Sequence, residues 1–359
     1  MQNKKKLYSM NKLYIIFFST VLFINFFFIN SLKANVFKVN DIEITEPFEL
    51  NFNREEVIDK GFRRAFIQLI STLVSSQDKK KIENTSLQTI KTLIDSFTMS
   101  DEKFINDEYQ SKFHVNFNKK NTLNFLEKKN IFPSMPKKKE LLIIPILVDI
   151  QEDKISLFNE NVFYSNWNIK IENFFLLQYL LPNEDLEDLN IITQNKDIIE
   201  DYDFKKIIQK YDIDDFIITI IFKNKDEIRV LSKISFNGIS KIKNIEFNNI
   251  DLESEEQIED ILTKLKNTYE NYWKEINKIN TSIKLPLTIS VDSKSVNKIE
   301  NLENILSKMD LVSSYNILKF DSNYIYFKII YNGSPKKFLQ EMIENKISIE
   351  TQGQIWRAR

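Results

Sequence analysis

With 359 residues the chain is long enough for two or three folded units, and its 42% hydrophobic and 28% charged content is that of a globular protein rather than a disordered or fibrous one. Fifty Lys and Arg stand against 51 Asp and Glu, a formal net charge of -1, so no whole-molecule field draws it to nucleic acid or to anionic lipid. The chain has no Cys, which leaves no disulfides and no lipid-bearing cysteine, and only 4 Gly beside abundant Lys, Asn and Ile, as in AT-rich genomes; single Lys and Asn residues therefore carry little functional meaning.

The amino terminus reads as an export signal over residues 1–34. Lys4, Lys5, Lys6 and Lys12 precede an apolar stretch from Leu13 to Ile29, and Ala34 supplies a small residue for cleavage before Asn35. The stretch is also close to the lower limit of roughly 17 residues for a membrane span, so its retention as an inner-membrane anchor is the alternative. The expected location is the periplasm of a Gram-negative cell, or the inner membrane with the folded part facing the periplasm.

Residues 35–132 read as an α+β unit of order βααββα. Val36 to Ile44 alternates as a strand, and Asn53 with Glu56 forms a capping pair. Ile58, Phe62, Ala65, Leu69 and Leu73 then recur at helical spacing, with Arg63 and Arg64 on the polar face. A second helix is expected over Ser86 to Phe97, a strand pair over Phe104 to Phe117, and a closing helix over Thr122 to Lys129. Two prolines, Pro133 and Pro136, followed by Lys137, Lys138 and Lys139, mark a linker over 133–140.

The middle unit, 141–280, is organised on two apolar runs, Leu141 to Ile150 and Phe216 to Phe222. Such runs read as parallel strands buried on both faces, which need helices on either side. Between them the pattern predicts a loop from Phe158 to Trp167, a helix over Phe174 to Leu181, an acidic loop, and a short helix capped by Asp203. Asn237 and Gly238 between two alternating runs predict an antiparallel hairpin that extends the sheet. Ser254 and Gln257 open a long helix with Ile258, Ile261, Leu262, Leu265, Tyr269, Tyr272 and Trp273 on one stripe, which reads as core. Residues 285–359 follow the order β-α-β-β-α-β, the ferredoxin-like split unit, with Ser334 and Pro335 starting the second helix and Trp356 packing on it.

Several of these segments together carry a resemblance: Arg63 to Phe66, Asp101 to Phe104 with Tyr109, the Leu142 to Asp149 strand, Asn161 ahead of Trp167, Leu181 to Asp188, and Gly333 to Trp356. In them the mature chain resembles the bacterial envelope family catalogued as domain of unknown function 2066, departing at Asn183 and in having few Gly or Ala where small residues are expected. The resemblance implies export and no catalytic residues to carry over. The middle unit is also distantly similar to amino-terminal modules of periplasmic assembly proteins such as the Tol translocation β-propeller partner, a fold-level analogy.

Common catalytic plans are missing. The single histidine, His114, lies between Phe113 and Val115 in a strand and projects to the opposite face, as a solvent-facing residue does. No Cys and one His disfavour zinc, 4 scattered Gly make no phosphate loop, and neither G-x-S-x-G nor H-E-x-x-H occurs. No cofactor or metal is therefore expected. The acidic clusters Glu184 to Asp188 and Asp212 to Asp215 lack the glycine turn of a calcium loop and read as caps and solvated loops.

What remains is a candidate partner or ligand surface of Asn161, Tyr164, Trp167, Asp185 and Asp188, just beyond the end of the first buried strand, where open α/β sheets place ligands. Core packing is the competing reading of Trp167, since large aromatics mostly bury. The chain reads as an exported interaction or assembly module for a protein partner in the envelope, contacting membrane only through an uncleaved Leu13 to Ile29. The alternatives are an envelope hydrolase using Asp185 and Asp188 as paired carboxylates, and a structural component tethered to the inner membrane.

Overall fold

The two apolar runs lie side by side. In a computed structural model that describes residues 37–170, 174–280, 283–353 and 355–359, β4 (Lys139–Asp149) and β7 (Phe216–Asn224) pair in parallel from Leu142 opposite Phe216 to Asp149 opposite Lys223. The expected signal or anchor at 1–34 lies outside the described residues. Both faces of the pair are covered. One meets α5 (Val162–Asn166) and α8 (Glu255–Ile276), and the other meets α6 (Leu186–Gln194) and α7 (Lys205–Ile208).

The sheet extends as expected through β8 (Glu227–Phe236) and β9 (Ile239–Phe247), both antiparallel. Asn237 at φ 51° and Gly238 at φ 76° form the turn between them, a conformation asparagine and glycine tolerate best. On the far side of β4 lie two short strands, β5 (Lys154–Ser156), antiparallel at its end, and β6 (Leu177–Leu180), parallel at its start. The helix expected over Phe174 to Leu181 is thus a turn and a strand. An uninterrupted apolar run fits either structure, and pairing with β4 decides for the strand.

The amino-terminal layer is a three-stranded sheet, β1 (Lys38–Pro47), β3 (Glu108–Phe117) and β2 (Ile94–Ile105), in the order β1-β3-β2. Four helices line it: α1 (Arg54–Leu73), α2 (Ser76–Ile82), α3 (Leu87–Leu93) and α4 (Lys119–Lys128). Two details differ from expectation. A short helix, α2, capped by Ser75, is added, and the helix expected to reach Phe97 stops at Leu93, where β2 begins pairing with β3. Gly61 is where α1 crosses closest to the sheet, since a Cβ there would come within 2.9 Å of the Phe113 ring.

The carboxy-terminal layer contains β10 (Leu285–Asp292), α9 (Val296–Lys308), β11 (Val312–Phe320), β12 (Tyr324–Tyr331) and α10 (Pro335–Glu344), ending in β13 (Ile349–Glu350) and β14 (Trp356–Ala358). The sheet order is β11-β12-β10-β14-β13. The chain therefore keeps the expected succession of elements but ends in two short strands. β14 runs parallel to β10, a place where a ferredoxin-like unit has an antiparallel strand, and β13 pairs outside it.

Residues 133–140 form a packed joint among the layers. The Ser134 amide and hydroxyl both donate to the Leu73 carbonyl, at 2.7 and 3.0 Å. The Met135 amide donates to the Asn277 carbonyl and the Ile279 amide to the Pro133 carbonyl, while the Met135 side chain enters the carboxy-terminal core. The Trp273 indole donates to the Lys137 carbonyl at 2.8 Å. Four hydrophobic clusters thus lie in one compact body, one in each outer layer and two flanking the middle sheet.

Met135→Ala is expected to cost about 2–4 kcal/mol, because it removes a side chain from a filled core. Ser134→Ala, which loses one buried hydrogen bond, is expected to cost about 1 kcal/mol. Urea unfolding measures both, and limited proteolysis of the native protein is expected to leave 133–140 uncut.

Candidate functional site

The five candidate residues divide between a core and a clamp. Asn161 is fully buried. Its Oδ1 accepts the Phe163 amide at 3.0 Å and caps α5, and its Nδ2 donates to the Pro145 carbonyl in β4 at 3.2 Å. Trp167, also fully buried, stands edge-on to Tyr179 and stacks on Tyr269 of α8, with ring centroids 5.7 and 6.5 Å apart. Neither presents a surface; together they fix the loop after β5 to the sheet.

Tyr164, half-buried one turn along, donates from its hydroxyl to the Pro182 carbonyl at 2.8 Å and packs edge-on to Phe158. Burial pushes its phenol pKa up. Phe158 sits at φ 50°, a left-handed backbone that costs a bulky residue roughly 1 kcal/mol or more. The preceding β5 and the cap at Asn161 hold it there.

Asp185 caps α6 by accepting the Glu187 amide at 2.8 Å. Asp188, one turn into that helix and buried, faces the same way, and the Lys210 ammonium donates to both carboxylates at 2.7 Å. The Asp185 carboxyl is held below its ordinary value, first by that hydrogen bond and then by the Glu187 amide, while Lys210 is raised by its two partners. Asp188 Oδ2 has no hydrogen-bond partner. It borders a cleft walled by Pro145, Phe158, Tyr164 and Pro182, whose free volume of about 10 Å³ is at the threshold for one water molecule.

The structure therefore brings Tyr164 and Asp188 to one cleft, links Asp185 through Lys210, backs the cleft with Asn161, and sends Trp167 to the opposite face of the sheet. A single ammonium shared by two carboxylates holds α6 to the segment after α7. No opening for a substrate separates the pair. The other acidic cluster is likewise structural: Asp212 ends a helical turn at φ 50°, and buried Asp215 pairs with Lys139 and accepts the Asn237 amide at 2.6 Å. Among the described residues no three His, Cys, Asp or Glu side chains cluster as a metal site, and no helix is long and apolar enough to cross a membrane. His114 lies on the half-exposed face of β3, between the Asp41 amide and the Ser100 hydroxyl.

A second buried charge pair escapes the sequence pattern. Glu270 and Lys274, four residues apart on α8, are both buried. Glu270 Oε1 accepts the Leu176 and Leu177 amides, each at 2.7 Å, and Lys274 Nζ donates to the Ser71 carbonyl, 3.8 Å from Glu270 Oε2. Burial pushes the carboxyl up and the ammonium down; in each, lost hydration outweighs the opposite charge.

No protein-family model matches the chain, and no curated protein matches it.

Lys210→Met strands the buried Asp188 carboxylate and is expected to cost about 1–3 kcal/mol in urea unfolding, with part recovered in the D188N/K210M double variant. Asp185 stabilises the fold fully above about pH 4, where the unfolded carboxylate is ionised. That contribution is lost as pH falls through the depressed folded value. The urea midpoint between about pH 6 and about pH 2 is expected to fall less steeply in Asp185→Asn, which keeps the cap but not the charge.

Proposed function

We propose that the chain is an exported, non-catalytic interaction module of the Gram-negative envelope, acting in the periplasm after loss of residues 1–34 or tethered to the inner membrane where Leu13 to Ile29 is retained. The observation that carries this reading is an apolar tip on the amino-terminal layer. Phe48 and Ile105 are each 47% exposed, Phe104 is 61% exposed, and Leu50 is wholly exposed. Phe48 and Phe104 stack edge-on at 4.8 Å, and Phe52 and Tyr109 brace them from inside, so the tip is built rather than a scatter of side chains.

Acidic residues ring it. Glu46, Glu49 and Glu56 wall an adjoining cleft of about 180 Å³, in which Lys60 offsets Glu46 alone. An apolar centre with an acidic rim suits a protein segment carrying apolar and basic side chains, and repels anionic lipid. The tip lies at the Pro47 end of β1, roughly 30 Å along the strand from Lys38. The resemblance to the envelope family, with its implied export and lack of catalytic residues, points the same way.

A photocrosslinking residue at Leu50, in cells expressing the full chain, is expected to yield an adduct whose partner peptide is rich in Lys or Arg and which disappears in Phe104→Asp. Equal yields from Leu50 and from a position on the carboxy-terminal layer, such as Lys308, would count against the tip. Intact mass of the periplasmic fraction is expected to show a chain beginning at Asn35.

A further inference from the structure

A third cleft, of about 500 Å³, opens where the end of α1 and the start of α2 face α8 and β9. Its size is that of a small-molecule site, but its walls are polar rather than apolar. Four lysines converge on it: Lys241 and Lys243 from β9, Lys274 and Lys278 from α8 and the turn after it. We propose that this cleft binds a small hydroxylated anion through carboxylate or phosphate groups. The proposal is independent of the apolar tip.

Pairing within the cleft makes the argument. Its two acidic residues are already engaged, Asp78 by Lys81 at 2.6 Å and Glu275 by Lys241 at 3.1 Å. Lys241 is further held over the Tyr272 ring at 4.4 Å. Among the described residues Lys243 and Lys278 form no ion pair. Lys274, on the floor and only 6% exposed, spends one donor on the Ser71 carbonyl and stands 3.8 Å from Glu270. A concave wall with unneutralised ammonium groups focuses positive potential where water screens it less than on an open surface. Ser75, Thr268 and Asn271 add hydroxyl and amide groups to the same wall, which suits an anion that also carries hydroxyls. Lysine is common throughout this chain; what sets these four apart is their convergence in one cleft where the acids are already spoken for.

Isothermal titration of the chain from residue 35 with citrate and with inorganic phosphate tests the site. Binding is expected for at least one probe, weakening as sodium chloride rises and falling about tenfold or more in Lys243→Glu/Lys278→Glu. Neither side chain supports the fold, so circular dichroism is expected to be unchanged. Lys308→Glu, on the carboxy-terminal layer, is expected to leave binding intact. Flotation with phosphatidylglycerol vesicles separates the sources of the anion: flotation abolished by the same double variant assigns a lipid headgroup, and citrate or phosphate binding without flotation assigns a free anion. Equal affinity in the wild type and the double variant, or no binding of citrate, phosphate or vesicles, overturns the proposal.

Discussion

Parallel pairing of β4 and β7, buried on both faces, is the constraint from which the rest of the molecule follows. Strands with no solvent face need two covering layers, and each polar group carried between them needs a partner inside. Thr219, fully buried in β7, shows the second requirement. Its hydroxyl meets the Tyr269 hydroxyl at 3.0 Å, and that hydroxyl meets Ser232 at 2.7 Å. Tyr269 is held well above the ordinary phenol range, at about 12, chiefly by burial. Helix α8 must therefore lie in one register over the sheet, and Trp167 stacks on the same tyrosine.

That register carries the far end of α8 to the amino-terminal layer, where a different shortage is met. Helix α1 ends without a basic residue in its last turn, and its final carbonyls need donors from elsewhere. Val74 serves Ile70, Lys274 serves Ser71, and Ser134 serves Leu73 twice. The orphan carbonyls of one helix thus become the attachment points of the next layer and of the 133–140 segment. Glu270 makes the same kind of bond in the other direction, to the two amides that lead into β6. Ion pairs this deep add little net stability, since desolvation consumes most of the attraction. Their consequence is geometric: a slip of α8 by one turn would strand a carboxylate, an ammonium and several backbone groups together.

Much of the fold is legible because local signals and burial agree. The Asn237-Gly238 turn, the stripe of α8 and the Ser334 cap each rest on a few adjacent residues whose conformational preferences leave few alternatives. Phe174 to Leu181 and Ser86 to Phe97 are misread because their partners are remote. Leu177 becomes strand by lying beside Lys139, and Phe97 by lying beside Val115. The candidate site fails in the same way. Asn161, read as part of a surface loop, is a buried helix cap, because the Pro145 carbonyl it reaches is identified only by the fold. Lys210, which decides what Asp185 and Asp188 can do, stands 25 and 22 residues away on a different segment, with no spacing rule to connect them.

The distribution of satisfied and unsatisfied charge then separates architecture from contact surface. Around Asp185 and Asp188 an ammonium answers the carboxylates within a space too small for more than a water, and Glu270 holds two amides on Oε1 with Lys274 3.8 Å from Oε2. Charges so engaged gain little from a ligand, which would have to break existing bonds before making its own. At the apolar tip and in the lysine cleft the balance is reversed: Leu50 and Phe104 are left in water, and Lys243 and Lys278 are left without carboxylates. An incoming partner there gains interactions without displacing any. The acidic and aromatic clusters that the sequence singles out are, in this chain, engaged by folding, and the side chains left exposed or without a carboxylate lie on a β-hairpin end and an edge strand that no compact motif announces.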